Sequence, residues 1–393
     1  MHDKVRSFLM PVYNRAPICF ERGAGSTLFT ADGTGYLDFG SGVAVNALGH
    51  GHPRLVDALV KQARKLWHTS NLYASPQQER LAQRLCELSF ADRVFFCNSG
   101  TEAVELAIKA ARRFHYVNGA PERNGIITIE GAFHGRTLAA LTATGQQKYL
   151  EGFAPLPGGF DQVPFGNLAA LERAITARTA AVLVEPVQGE SGVRPMPPGY
   201  LRNLRALCDQ YGILLLIDEV QTGIGRTGTF FAYEQEAIPD VLATAKGLGG
   251  GFPIGACLAT EAVGAVMERG THGSTFGGNP LAMAVATEVV DMISAPAFLA
   301  RVTRASERFF ALARELALHY PQVFSEVRGN GLLMGLKCVP PVSDLVALAH
   351  EEKLLCLSAG DNVLRIAPPL IITDAEIDDG FGRLARAVAR LAG

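Results

Sequence analysis

An acid and an amine set in unlike surroundings are the residues of this chain best suited to chemistry. Asp218 closes the apolar run Gly212-Ile213-Leu214-Leu215-Leu216-Ile217 and is followed by Glu219, while Lys246 stands between Ala245 and Gly247-Leu248-Gly249-Gly250-Gly251. A carboxylate at the end of a buried strand emerges where open α/β sheets bind ligands. There it could keep a pyridine nitrogen protonated and make the ring a better electron sink. Lysine is the residue type that forms an imine with an aldehyde once its amine is deprotonated. Each residue also has a plain structural reading, a helix-capping acid and a solvated loop amine. The glycines around Lys246, with no charged neighbours, make solubility a poor reason for it. The two could therefore work on one bound cofactor.

Other short segments add to this pair. Phe96-Cys97-Asn98-Ser99-Gly100-Thr101-Glu102 joins a strand to a helix striped by Val104, Ala107, Ile108 and Ala111. Ser99 and Glu102 have capping-box spacing, and the amides and dipole at Gly100 and Thr101 would attract a phosphate. A purely structural turn fits the same residues. Gly131-Ala132-Phe133-His134-Gly135-Arg136-Thr137 offers an aromatic face and a guanidinium; Phe133 could stack on a planar ring or belong to the core, and Arg136 could grip a carboxylate through two bonds. His134 is assigned only the orientation of this turn. Glu185-Pro186-Val187-Gln188-Gly189-Glu190 ends another strand, and Arg365 lies in Val363-Leu364-Arg365-Ile366. That arginine could bind a substrate carboxylate or pair with Glu190 when none is present. Gly223-Ile224-Gly225-Arg226-Thr227-Gly228 matches GxGxxG, but it does not turn directly from strand to helix, so it reads as a loop beside Asp218 rather than a nucleotide fingerprint. His50 and His52 lack a metal-ligand set around them and read as turn residues.

The elements that must position these groups follow from periodicity. Short apolar runs at Val94–Cys97, Gly125–Ile129, Ala180–Val184 and Ile213–Ile217 alternate with helical patterns, which predicts an α/β fold with a mostly parallel sheet covered on both faces. Leu55, Leu59, Ala63 and Leu66 recur near helical spacing and predict one core-facing stripe. After about residue 285 the pattern becomes long helices, Phe298–Tyr320 and Asp374–Leu391, around strands near Gly331–Lys337 and Val363–Ile366. This predicts a smaller α+β domain.

Composition excludes several classes. A net charge of −2 over 393 residues provides no broad basic field for nucleic acid. No apolar segment is long enough to span a bilayer, and the N-terminus lacks a secretory pattern. Seven dispersed cysteines without a CxxC spacing suit a reducing compartment, so a cytoplasmic enzyme is expected.

Taken together, Leu48-Gly49-His50-Gly51-His52-Pro53, Asn98-Ser99-Gly100-Thr101-Glu102, Phe133-His134-Gly135-Arg136-Thr137, Glu185-Pro186-Val187-Gln188-Gly189-Glu190, Asp218-Glu219-Val220-Gln221-Thr222-Gly223, Lys246-Gly247-Leu248-Gly249-Gly250-Gly251 and Thr271-His272-Gly273-Ser274-Thr275-Phe276-Gly277-Gly278-Asn279-Pro280 resemble the class III, ornithine-aminotransferase-like branch of fold-type-I pyridoxal-phosphate enzymes. Within that branch the acetylornithine aminotransferases are most similar. The resemblance implies that Lys246 carries the covalent link to pyridoxal 5'-phosphate, with Asp218 at the ring nitrogen, Gln221 on the ring hydroxyl side and Phe133 stacked on the ring. It places Ser99, Gly100 and Thr101 at the phosphate, and Thr275 at the phosphate of a neighbouring subunit in a homodimer. Arg136 and Arg365 match substrate-carboxylate positions, with Glu190 the partner of Arg365. The implied reaction passes the terminal amino group of N-acetylornithine to 2-oxoglutarate in arginine biosynthesis; succinylornithine, ornithine, 4-aminobutyrate and N-succinyl-diaminopimelate are alternative donors, and a noncatalytic cofactor-binding protein is the alternative of another class. The implied organisation is an N-terminal segment 1–50 that joins the small domain and interface, a large cofactor domain 51–285 and a C-terminal small domain 286–393. Val104 departs from the asparagine common in relatives, and its place in the helical stripe predicts core packing.

Overall fold

The computed structural model describes residues 8–393; residues 1–7 of the expected N-terminal segment lie outside it. A seven-stranded sheet forms the centre of the larger part. Its order is Arg93–Cys97, Gly255–Ala259, Val241–Thr244, Leu214–Asp218, Thr179–Val184, Gly125–Ile129 and Phe160–Val163. The Gly255–Ala259 strand runs antiparallel to both neighbours, and the other six share one direction. The four runs predicted for this sheet are present, with ends that agree to within a residue: the strand expected to stop at Ile217 includes Asp218.

The strands are apolar throughout because both faces are covered. Leu215 and Ile217 enter one core cluster, whereas Leu214 and Leu216 enter a second, as alternation along a strand requires. The second cluster is completed by Val104, Ala107, Ile108 and Ala111 of the Gly100–Val117 helix. Val104 is fully buried there, as its stripe position predicts. Burial of each such valine, leucine or isoleucine side chain contributes about 1.5–3 kcal/mol.

Two further sheets lie beside this one. Phe20–Ala24, Thr27–Thr30, Gly35–Asp38 and Leu354–Leu355 form a sheet shared by the two ends of the chain. Phe324–Asn330, Leu333–Cys338, Val363–Ile366 and Leu357–Ala359 form an antiparallel sheet in which Arg365 is level with Gly335 on one side and Leu357 on the other. The long helices Pro296–His319 and Asp374–Ala392 cover the smaller part. One expectation needs correction: the helix at Pro53 ends at Ala63, so Leu66 lies beyond it and is exposed. The buried face consists of Leu55 and Gln62, against the Pro280–Ile293 helix. Among the described residues no single helix is long and apolar enough to cross a membrane.

Candidate active site

The shared strand direction explains why distant segments meet. Asn98 follows the Arg93–Cys97 strand, Gly131–Arg136 follow Gly125–Ile129, Glu185 follows Thr179–Val184, and Lys246 lies just past Val241–Thr244. All leave the sheet at its carboxyl end, where Asp218 also sits, level with Ala243. Ser99, Gly100, Thr101, Phe133, Arg136, Asp218, Gln221 and Lys246 border one cavity of about 410 Å³.

Asp218 is buried and fixed from two sides. Its Oδ2 lies 2.7 Å from Nδ1 of the buried His134, and its Oδ1 accepts the Val220 amide at 3.0 Å. His134 is itself anchored, since its backbone N–H donates to Thr144 Oγ1 at 2.9 Å. The histidine assigned only to its turn therefore also holds the central acid. Glu185, level with Asp218 across the sheet, was quoted in its motif but assigned no role. Its Oε1 accepts the Phe133 amide at 2.9 Å. Burial and the neighbouring Asp218 raise its pKa well above the ordinary carboxylate value. Its place one residue past a buried strand was the signal that could have found it.

Lys246 begins a short 3₁₀ turn with φ +35, a conformation side-chain-bearing residues seldom adopt. Such strain persists where surrounding packing dictates it. Gly247 behind it packs on Ile224, where an added Cβ would be 3.4 Å from that side chain. Burial lowers the Lys246 pKa from 10.5 to about 8; Arg365 adds to that shift, while Glu190, Asp218 and Glu185 oppose it. The chain thus presents an amine that is readily uncharged.

The corner of the cavity suited to an anion is the start of the Gly100–Val117 helix. Ser99 Oγ accepts the Glu102 amide at 3.3 Å, but the expected reciprocal bond is displaced: Glu102 Oε2 accepts the amide of Asn98 at 2.6 Å and meets Ser99 Oγ at 3.2 Å. The whole strand-to-helix turn is braced, and Gly100 and Thr101 of its first turn border the cavity. Gly100 is required by close packing, because an added Cβ would be 2.6 Å from Val220 Cγ1. These features fit pyridoxal 5'-phosphate: a helix start for phosphate, the Phe133 ring on the wall, a fixed carboxylate, and a partly buried amine of lowered pKa.

A second cluster adjoins the cavity. Arg365 Nη1 meets Glu190 Oε1 at 2.5 Å and Gln221 Oε1 at 3.3 Å. Burial pushes the Glu190 pKa up, yet Arg365 outweighs it and holds the carboxylate below its ordinary value. The Arg365 side chain is 4% exposed and that of Glu190 25%, so the acid is the more accessible member of the pair. Arg136 is exposed, with its guanidinium 4.1 Å from the Tyr149 ring centre and 5.4 Å from that of Phe133. Tyr149, edge-on to Phe133, went unnoticed in the sequence because it lies outside every glycine-bounded motif. Thr275 does not border the Lys246 cavity; it lines a separate recess with His68, Asn71 and Gln78. The GxGxxG segment forms turns and opens no helix. His50 Nε2 lies 2.8 Å from Asp38 Oδ2, and His52 precedes the Pro53 helix.

The family model described as aminotransferase class-III matches residues 10–388. An acetylornithine aminotransferase of Agrobacterium fabrum is 56% identical over 384 residues, covering 98% of this chain and 96% of the relative. Its counterpart from Brucella melitensis is 56% identical, covering 98% and 95%. Among solved structures, the ornithine aminotransferase from Toxoplasma gondii ME49 superposes with a TM-score of 0.94 at 33% identity, covering 98% of this chain and 93% of that one. The N-acetylornithine aminotransferase from Stenotrophomonas maltophilia K279a does so with 0.85 at 40% identity, covering 96% and 97%.

Proposed function

Since this chain belongs to the class-III aminotransferases, pyridoxal-phosphate enzymes of fold type I, we propose that it is an acetylornithine aminotransferase. In this reading it moves the terminal amino group of N2-acetyl-L-ornithine to 2-oxoglutarate, giving N-acetyl-L-glutamate 5-semialdehyde and L-glutamate, a step of arginine biosynthesis. Relatives of that name at 56% identity over nearly their whole length support the donor.

The observation that carries the reading is the Arg365–Glu190 pair beside Lys246. A donor that presents a terminal amine brings no carboxylate next to the reacting carbon, so Arg365 must be masked while it binds. 2-Oxoglutarate carries a carboxylate there and needs Arg365 open. A fixed arginine with a partly exposed acid can serve both substrates in turn.

The residues divide the remaining work. Pyridoxal 5'-phosphate, when bound, supplies an aldehyde that carries the amino group and a ring that takes up the electron pair left by proton removal. Lys246, with a pKa of about 8, serves as nucleophile and then as the base and acid that moves a proton at the substrate carbon. Asp218, held by His134 and the Val220 amide, offers its carboxylate to the ring nitrogen. Gly100 and Thr101 amides with Ser99 receive the phosphate, Gln221 the ring hydroxyl and Phe133 the ring face. Arg136 takes the far carboxylate of either substrate.

A homodimer completes the reading. Trp67, Leu72, Tyr73 and Phe276 are large, apolar and exposed near Thr275, a surface suited to a second copy, which would bring its Thr275 to the phosphate. The test is a comparison of kcat/KM for purified, cofactor-loaded protein with acetylornithine, succinylornithine, ornithine, 4-aminobutyrate and N-succinyl-diaminopimelate, each with 2-oxoglutarate. Acetylornithine should lead. A higher value for another donor would replace the substrate assignment, and no glutamate with any donor would replace it with a noncatalytic role.

A further inference from the structure

Arg226 is among the largest fully buried side chains of the protein and has no acidic partner among the described residues. Burial alone lowers its pKa to about 9, so it still carries its charge at neutrality. A buried charge without a counter-ion is costly. Mere filling of space would be met more cheaply by an apolar side chain, and the position of its bonds suggests what the charge is for.

Its Nη1 donates to Leu332 O at 3.0 Å and to Pro368 O at 2.5 Å, while its own backbone carbonyl accepts the Leu332 amide at 2.9 Å. Arg226 thus links three segments: the loop that begins at Asp218 and holds Gln221, the hairpin turn after Asn330, and the segment that leaves the Arg365 strand. Glycines in and near the Arg226 loop let it pack closely on its surroundings, the first two against the Pro280–Ile293 and Pro296–His319 helices and the third at the hairpin turn. A Cβ on Gly225 would lie 2.6 Å from Ile293 Cγ2, one on Gly228 2.8 Å from Thr303 Oγ1, and one on Gly331 would overlap the Arg226–Thr227 backbone. On its other side the same segment is tied by Ser41 Oγ to Ala367 O at 2.7 Å. Pro368 is three residues past Arg365, and Arg365 Nη1 is 3.3 Å from Gln221 Oε1.

We infer that Arg226 is a positioning residue for the oxoacid half of the reaction: its guanidinium fixes the Arg365–Pro368 segment against the Asp218–Gln221 turn, and so sets where Arg365 meets a carboxylate. The inference rests on the reading of Arg365 as the oxoacid-binding group. In the donor half Arg365 stays paired with Glu190, and small errors in its placement matter little. In the oxoacid half it must meet a carboxylate fixed by the reacting carbon.

The experiment uses the loaded enzyme and the variants Arg226→Met, Arg226→Lys and Arg365→Gln. It measures the single-turnover rate with acetylornithine alone, the KM for 2-oxoglutarate, and the Kd of glutarate as an unreactive dicarboxylate. For Arg226→Met the KM and the glutarate Kd should rise roughly tenfold, while the donor step stays within about threefold of the parent. Arg226→Lys, which keeps the cation with a different reach, should fall between. Parallel loss in both halves would assign Arg226 to general stability and overturn the inference, as would an unchanged KM where Arg365→Gln raises it. If Arg365→Gln leaves the 2-oxoglutarate KM unchanged, the reading of Arg365 fails and the inference falls with it. Should Arg226→Met not fold, Arg226→Lys carries the same comparison.

Discussion

At the residue scale, Lys246 combines partial burial with lowered basicity. Its pKa of about 8 lies below the ordinary 10.5, so between these values the folded chain holds the amine uncharged where the unfolded chain holds it charged. The unfolded state then binds more protons, and folding stability of the cofactor-free protein rises with pH across that window. Below about pH 8 both states are charged and the cost of burying the cation is fully present. The reactive fraction follows the same curve. Acylation of Lys246 in cofactor-free protein, followed by mass spectrometry of its peptide, should therefore rise through about pH 8; a midpoint near that of exposed lysines would contradict the assignment. The pair Asp218 and Lys246 was legible because Asp218 ends a long apolar run and Lys246 stands, without charged neighbours, at the head of a glycine-rich one. The support that His134 and Glu185 give was not, because those contacts span 84 and 52 residues and depend on strand register.

At the element scale, the parallel strands were legible from continuous apolar runs, since a sheet covered on both faces needs no alternation of polar residues. Their common direction then gathers the loops at one end without further instruction. Strand order, and with it which loops become neighbours, was not written in any local pattern. The hairpin of Phe324–Asn330 and Leu333–Cys338 was only half visible, because its first strand is polar and partly exposed. The helix start at Gly100 shows how close the fit between elements is. In Gly100→Ala the new Cβ meets Val220, whose amide holds Asp218, so both the phosphate corner and the acid shift. The expected outcome is roughly tenfold weaker cofactor retention, from overpacking of about 1–3 kcal/mol, with the folded spectrum retained. Cofactor affinity equal to the parent would show that the turn yields freely.

At the scale of the whole molecule, one chain contains most of the site but leaves Thr275 in a separate recess, with Leu72 and Phe276 85% and 60% exposed beside it. Surface of that kind is rarely left to solvent. Leu72→Asp combined with Phe276→Asp should give a monomer in sedimentation that retains cofactor poorly, whereas a stable dimer would move the interface elsewhere. The N-terminal strand Gly35–Asp38 and the C-terminal Leu354–Leu355 share a sheet, and Arg226 ties the Asp218 loop to the Arg365 segment. The Asp218 loop and the Arg365 segment are thus held together by contacts between residues far apart in the sequence. All of this presupposes that Lys246 is where the cofactor is joined. Borohydride reduction of the loaded enzyme, followed by peptide mapping, tests that most directly: the account predicts a pyridoxyl group on Lys246 and loss of turnover, and a label on any other lysine, or none, would contradict it.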